Sequence, residues 1–133
     1  MPRSTTHIRV AFMDVDSSQR IHFTAMFRYF EIAEHDLMRA IGLPYSQSLQ
    51  EYKFPRAHLD CDFRSAIVFD DLLDIETTVE RAGTTSWTVR FVARQQRDGT
   101  LAAEGHMVMV ALDMATERPI SLPAELRAAL TAE

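Results

Sequence analysis

The chain has 133 residues, 14 of them Lys or Arg and 19 Asp or Glu, for a formal net charge of −5. That balance argues against a general nucleic-acid binder, which would carry a basic face. The length suits one domain over residues 1–133, and 47% hydrophobic with 25% charged residues is the profile of a globular protein with a real core. No apolar run approaches the ~20 residues of a membrane span. The N-terminal MPRSTTHIRV lacks the apolar segment of a signal peptide. The one cysteine, Cys61, cannot form an internal disulfide. Together these features lead to an expected cytoplasmic location. Lys53 is the sole lysine among the basic residues; biased codon usage accounts for the arginine excess as a whole. Single arginines near a cleft still suit phosphate groups, which the planar guanidinium fork matches.

In chain order, Ile8–Met13 reads as a short strand ending in Asp14 and Asp16. Phe23–Ile41 reads as a helix, because Phe23, Met26, Phe27, Phe30, Ala33, Leu37 and Ile41 recur at three- and four-residue steps. Thr24 is placed to cap its start, and Gly42 followed by Pro44 to stop it. Tyr29, Ile32 and Met38 widen the apolar stripe, so other elements should wrap this helix. Leu43–Tyr52 is loop or a short helix.

Alternation of period two follows. Ala57, Leu59, Cys61 and Phe63 share one strand face; Leu73, Ile75, Thr77 and Val79 share another; Trp87, Val89, Phe91 and Ala93 a third. Gly83 separates the second and third strands, and the Asp-Gly of Arg97–Thr100 marks a hairpin. From Met107 to Leu112 both faces are apolar, which fits a central strand or subunit pairing. Pro123–Leu130 is a short amphipathic helix. The fold class is α+β, one long buried helix against an antiparallel sheet of about five strands.

Three stretches resemble the 4-hydroxybenzoyl-CoA thioesterase family and the related Tol-Pal-associated acyl-CoA thioesterases. The first is Asp14-Val15-Asp16 followed by Phe23 and by Phe27-Arg28-Tyr29-Phe30-Glu31. The second is Phe69–Gly83, FDDLLDIETTVERAG, and the third is Asp113–Pro123, DMATERPISLP. The resemblance spans nearly the whole chain. It implies the hotdog fold, in which a curved antiparallel sheet wraps a central helix. It also implies an acyl-CoA thioesterase.

By that resemblance Asp16 carries catalysis, and the backbone N–H of Phe23 holds the oxyanion. The chemistry needs little more. A thiolate leaves readily, since thiols ionise near pH ~8.5. One carboxylate therefore suffices, either attacking the carbonyl or activating a water. First-turn N–H groups of a helix lack intrahelical partners and favour negative charge. A turn residue or a charge that complements the helix is the plain alternative for Asp16, and Asp14 reads as structural, bonded to turn backbone. His22 either contacts the acyl group or tunes Asp16, or is a loop imidazole without a part. Thr24, Phe27 and Phe63 are candidates for the substrate pocket, though core packing explains the phenylalanines equally well. Arg118, Arg81, Thr85 and Ser86 are candidates for the coenzyme A arm. His58 reads as surface or subunit contact, and His106 has no supported role.

No zinc-type His spacing, cysteine cluster or Gly-x-Ser-x-Gly occurs, so neither a metal nor a serine nucleophile is expected. No cofactor is expected beyond the coenzyme A of the substrate. Hotdog relatives imply a homodimer or homotetramer with sites at the subunit interface. Most family members carry glycine after the catalytic aspartate, where this chain has Ser17-Ser18-Gln19-Arg20. Two rival readings remain: a non-catalytic acyl-CoA-binding or regulatory protein, and a hotdog hydratase or dehydratase using His35.

Overall fold

The computed structural model describes residues 1–133. The first strand, β1, is Arg3–Arg9, so it begins and ends earlier than the apolar run Ile8–Met13 suggested. Thr6 and Ile8 are its buried positions, alternating with exposed Thr5, His7 and Arg9. Pairing with a neighbouring strand recruits the polar residues that hydropathy alone leaves out. Phe12–Asp14 is instead a single 3-10 turn, closed by the Val15 N–H on the Phe12 carbonyl at 3.3 Å.

The long helix α1 is Ala25–Ala40, with Phe23 and Thr24 in the turn before it. Thr24 holds the cap position but makes no side-chain cap bond; its hydroxyl meets His22 Nδ1 at 2.7 Å. Met26, Phe30, Ala33, Leu37 and Met38 are fully buried, whereas Ile32 is exposed. Gly42, at φ 83°, ends the helix in the left-handed conformation that costs glycine least.

Seven further elements follow: β2 (Tyr52–Lys53), β3 (Arg56–Phe63), β4 (Leu72–Ala82), β5 (Ser86–Gln95), β6 (Leu101–Val110), β7 (Leu112–Asp113) and α2 (Ala124–Thr131). The main sheet has five strands in the order β1-β4-β5-β6-β3, all pairs antiparallel, and β2 pairs with β7. The apolar β6 is central, as its two-sided pattern suggested, with Met107 and Met109 buried. Both its backbone edges are used within the chain, so it is not a strand free to pair with another copy. The edge strands of the sheet are β1 and, on the β6 side, β3. On β3, Leu59 and Cys61 are only half-buried, and Ala57 and Phe63 are exposed. Burial, followed by the neighbouring Asp62 and Asp60 charges, pushes the Cys61 thiol up to about 11, so it is inert at neutral pH.

Helix and sheet meet where Phe30 stacks on Phe91, with centroids 4.4 Å apart. Gly105 makes room for this contact. A Cβ there would lie 2.1 Å from the Asp60 carbonyl oxygen and 2.9 Å from the Phe30 ring. Away from it, fully buried Glu34 accepts from Tyr45 Oη at 2.7 Å and Arg56 Nη2 at 2.8 Å. Burial pushes its carboxyl up, against the pull of Arg56 and Tyr45. This cluster ties α1 to the loop after it and to β3.

Asp14 is the second buried carboxylate, only 4% exposed. Its side chain does not bond to turn backbone as expected. Tyr29 Oη donates to Oδ2 at 2.5 Å, and Arg28 donates to Oδ1. Only its main-chain carbonyl serves the turn, accepting the His22 N–H at 2.7 Å. Burial pushes Asp14 up, but the Tyr29 bond, the Arg28 bond and the Arg28 charge outweigh it, so its pKa is lowered. Tyr29 is correspondingly pushed up to about 12, by burial first and then by Asp14.

Beyond Asp14 the chain makes a hairpin-like turn. Val15 bridges to Ile21, the Asp16 N–H reaches the Arg20 carbonyl at 2.9 Å, and the Gln19 N–H reaches the Asp16 carbonyl at 2.9 Å. The glycine-free turn therefore places Gln19 at φ 64°, where a side chain is disfavoured.

Two substitutions test this local account. Asp14→Ala leaves the Tyr29 hydroxyl buried and unpaired, so urea unfolding at neutral pH should show a loss of about 2–4 kcal/mol. Because the folded pKa is depressed, that contribution is complete above the unfolded value of ~3.9 and is lost as pH falls through the folded value. Wild type and variant should therefore converge in acid. Gln19→Gly should be neutral or stabilising by up to about 1 kcal/mol, as relief of left-handed strain offsets glycine's entropy.

Candidate active site

Two loops meet at the sheet end where β1 and β3 stop. The Asp14–Ile21 turn is stitched to the Ser65–Asp71 loop by the Ile21 N–H on the Ile67 carbonyl at 2.8 Å. Just before the turn, the Val10 N–H reaches the Asp71 carbonyl at 2.8 Å, and the Asp70 N–H reaches the Val10 carbonyl at 3.0 Å. Asp71 fixes the second loop from inside, accepting from the Val68 N–H at 2.9 Å and Gln95 Nε2 at 2.8 Å.

Between these loops lies a cleft of about 220 Å³ that brings together Asp16, Ser18, Arg20, Phe23 and Phe63. Three residues singled out in the sequence, Asp16, Phe23 and Phe63, are therefore neighbours. Asp14 is buried against α1, whereas Asp16 is exposed at the cleft. Asp16 Oδ1 accepts two bonds from Ser18, one from its N–H at 2.8 Å and one from its hydroxyl. Oδ2 has no partner in the chain. The Ser18 hydroxyl, then the Ser18 N–H, hold the Asp16 pKa below the ordinary carboxylate value, and the nearby His22 adds to the effect.

The N–H of Phe23 makes no hydrogen bond within the chain. His22 stacks on the Phe23 ring at 4.7 Å. Its Nδ1 is turned toward Thr24, whose N–H lies 3.2 Å away. The imidazole thus satisfies a donor that a capping side chain would otherwise take. Phe27 is half-buried against the core rather than in the cleft. Ser18 and Arg20 were singled out in the sequence as part of the glycine-free stretch Ser17–Arg20, but neither was given a role of its own at the site. Arg20 has no ion-pair partner in the chain.

The candidates for the coenzyme A arm lie elsewhere. On β6, Ala103 pairs with Phe63 and Val110 with Ser86, seven residues or about 23 Å apart. Arg81 and Thr85 sit at the Ser86 end, and the Arg118 carbonyl accepts the Asp113 N–H beyond it at 3.0 Å. One chain does not bring these four residues to Asp16. His58 and His106 both approach Asp60, at 2.8 and 3.4 Å, and neither lines the cleft. His35 faces Glu34 at 3.9 Å, away from Asp16.

The fold and this site can be set against known proteins. Over 87 residues the chain is 26% identical to an Aquifex aeolicus (strain VF5) protein named "Putative esterase"; the match spans 63% of this chain and 66%, just under two thirds, of that protein. A 1,4-dihydroxy-2-naphthoyl-CoA thioesterase from Synechocystis superposes with a TM-score of 0.89 at 18% identity, covering 97% of this chain and 96% of that one. A gentisyl-coenzyme A thioesterase superposes at 0.86 and 23%, covering 96% and 99%. The helix, sheet and strand order are those of the hotdog fold. No helix is long and apolar enough to cross a membrane. The family model for the Thioesterase-like superfamily matches residues 10–130, from the end of β1 to α2, and the chain belongs to that superfamily.

Proposed function

We propose that this protein hydrolyses an acyl-CoA thioester to the free acid and coenzyme A at the Asp16 cleft. The observation that carries the reading is the meeting of two unspent groups at one cleft. These are the Asp16 carboxylate, with Oδ2 free, and the unbonded N–H of Phe23. Membership of the Thioesterase-like superfamily supports the reaction class.

Two routes use the same atoms. In the first, Oδ2 takes a proton from water as its oxygen bonds to the carbonyl carbon. The carbonyl oxygen becomes an oxyanion held by the Phe23 N–H, and the C–S bond breaks to expel the thiolate. In the second, Oδ2 itself bonds to the carbonyl carbon, the thiolate leaves, and water hydrolyses the resulting mixed anhydride. Either route needs Asp16 ionised, and the Ser18 bonds favour that form. His22 is the positioning residue for the turn that presents the Phe23 N–H.

The coenzyme A arm is a matter of assembly. With Arg81, Thr85, Ser86 and Arg118 at the far end of the sheet, the reading requires a second copy to bring such groups to Asp16. A homodimer or homotetramer with sites at the interface meets that requirement. The unpaired edge of β3 and the exposed Asp16 and Phe63 support it.

A panel of acyl-CoAs assayed by release of free thiol tests the reading. The wild type should cleave at least one member. Asp16→Ala should lower kcat/KM on that member by roughly 10²–10⁴-fold, the usual worth of a positioned acid–base group. Binding without cleavage by the wild type would favour the non-catalytic acyl-CoA-binding alternative. Equal rates in the variant would remove Asp16 from the chemistry.

A further inference from the structure

The Ser65–Asp71 loop lines the cleft, yet little apolar packing holds it. From Arg64 to Asp70 only Ile67 is buried. β6 holds the entry of the loop, where Ser65 Oγ donates to the Leu101 carbonyl at 2.8 Å. The exit is held from behind, by polar side chains at the end of β5. Gln95 is 1% exposed and Asp71 8%. Gln95 Nε2 and the Val68 N–H converge on one oxygen of Asp71, Oδ2, at 2.8 and 2.9 Å. Arg97 Nη1 closes the group from outside, donating to Asp71 Oδ1 at 3.1 Å and to Gln95 Oε1 at 3.2 Å. None of these three side chains lines the Asp16 cleft.

We propose that Asp71 and Gln95 are positioning residues for the oxyanion donor, setting the Phe23 N–H from behind the loop. The proposal rests on the thioesterase reading and adds two residues to its site. Three hydrogen bonds make the connection. Gln95 holds Asp71, Asp71 holds the Val68 N–H, and the adjacent Ile67 carbonyl accepts the Ile21 N–H at 2.8 Å. Phe23 stands two residues beyond Ile21. Between them the His22 N–H is fixed on the Asp14 carbonyl at 2.7 Å. The Phe23 N–H is thus aimed by two anchors, Asp14 on the helix side and Ile67 on the loop side. The second anchor is only as firm as the loop that carries it.

A buried carboxylate oxygen with two donors resists displacement, because each lost bond leaves a polar group unpaired away from water. An oxyanion donor in turn tolerates little displacement, since a shift of about 1 Å can cost about 10²-fold in rate. Neither Asp71 nor Gln95 touches the substrate at this cleft, so loosening them should slow the chemical step and leave binding alone. The two oxygens of Asp71 also differ in their work. Oδ2 does the holding, and Oδ1 faces Arg97. An amide in place of the carboxylate keeps an acceptor for Val68 and Gln95 and gives up only the Arg97 bond. The network therefore works by hydrogen bonding, and Asp71 takes no acid–base part.

Comparison of Asp71→Ala, Gln95→Leu and Asp71→Asn tests this on the acyl-CoA that the wild type cleaves best. Asp71→Ala and Gln95→Leu should lower kcat about tenfold or more, with KM held within about twofold. Asp71→Asn should stay within about threefold of the parent in both. Gln95→Leu keeps buried bulk, so it serves should Asp71→Ala fail to fold. Leu126→Ala empties a fully buried site on α2, at the Ser86 end of the sheet, and should keep kcat despite its lower stability. Amide hydrogen exchange reads the network without substrate. The Ile21 N–H should exchange about tenfold or more faster in Gln95→Leu and at the parental rate in Asp71→Asn. Unchanged kcat or unchanged Ile21 exchange in Gln95→Leu overturns the proposal. So does a raised KM at constant kcat, or an equal fall of kcat in Leu126→Ala. A loss in Asp71→Asn as large as in Asp71→Ala also overturns it, since charge would then be the working feature. If the wild type cleaves no thioester, the catalytic reading falls alone, and the exchange rates still decide whether Gln95 and Asp71 hold the Ile21 anchor.

Discussion

The clamp on Asp14 is the contact on which the site depends. A buried carboxylate is costly unless it is fully bonded, and here one helix supplies the bonds through Arg28 and Tyr29. The clamp fixes where the turn leaves the core relative to α1. Asp14 is buried on α1, and two residues on, where the chain has left the core, Asp16 is exposed. The one-residue spacing of the two aspartates is thus a division of labour. One anchors and its neighbour is presented.

The same clamp sets the second half of the site. The Asp14 carbonyl accepts the His22 N–H, and His22 in turn satisfies the Thr24 N–H. Phe23, between them, keeps its own N–H free. The turn joining Asp16 to Phe23 closes without glycine because Gln19 takes the left-handed conformation. Ser18 then becomes available to bond Asp16, which a glycine could do only through its backbone. The substitution that set this chain apart thereby gives its carboxylate one saturated oxygen and one free oxygen.

Much of this was legible in the sequence. β4 and β5 followed from strict alternation, β6 from its apolar run, and α1 from its three-and-four spacing, since these patterns report burial directly. The hotdog architecture followed from motifs in a fixed order, and the first of those motifs carried Asp16 and Phe23. Other features were not legible. Residues Arg3–Thr6 are polar and become strand only by pairing with β4, a long-range fact. Phe23 has the right period for a helix but falls in the turn before it. Asp14 binds Tyr29 rather than the turn, because the carboxylate is carried inward by the 3-10 turn. The Glu34 cluster needs β3 beside α1, and Phe12 and Phe69 meet across loops 57 positions apart (69 − 12). Local propensity carries none of these.

The central claim is that the ionised Asp16, with Ser18 holding one of its oxygens, drives thioester cleavage. The pH dependence of kcat/KM on the best acyl-CoA tests it most directly. The account predicts an acid limb below the ordinary aspartate value of ~3.9. That limb should move upward in Ser18→Ala, as the bonds that favour the carboxylate are lost. An inflection near pH ~6.5, the ordinary imidazole range, unmoved by Ser18→Ala, would give the working role to a histidine and contradict the account.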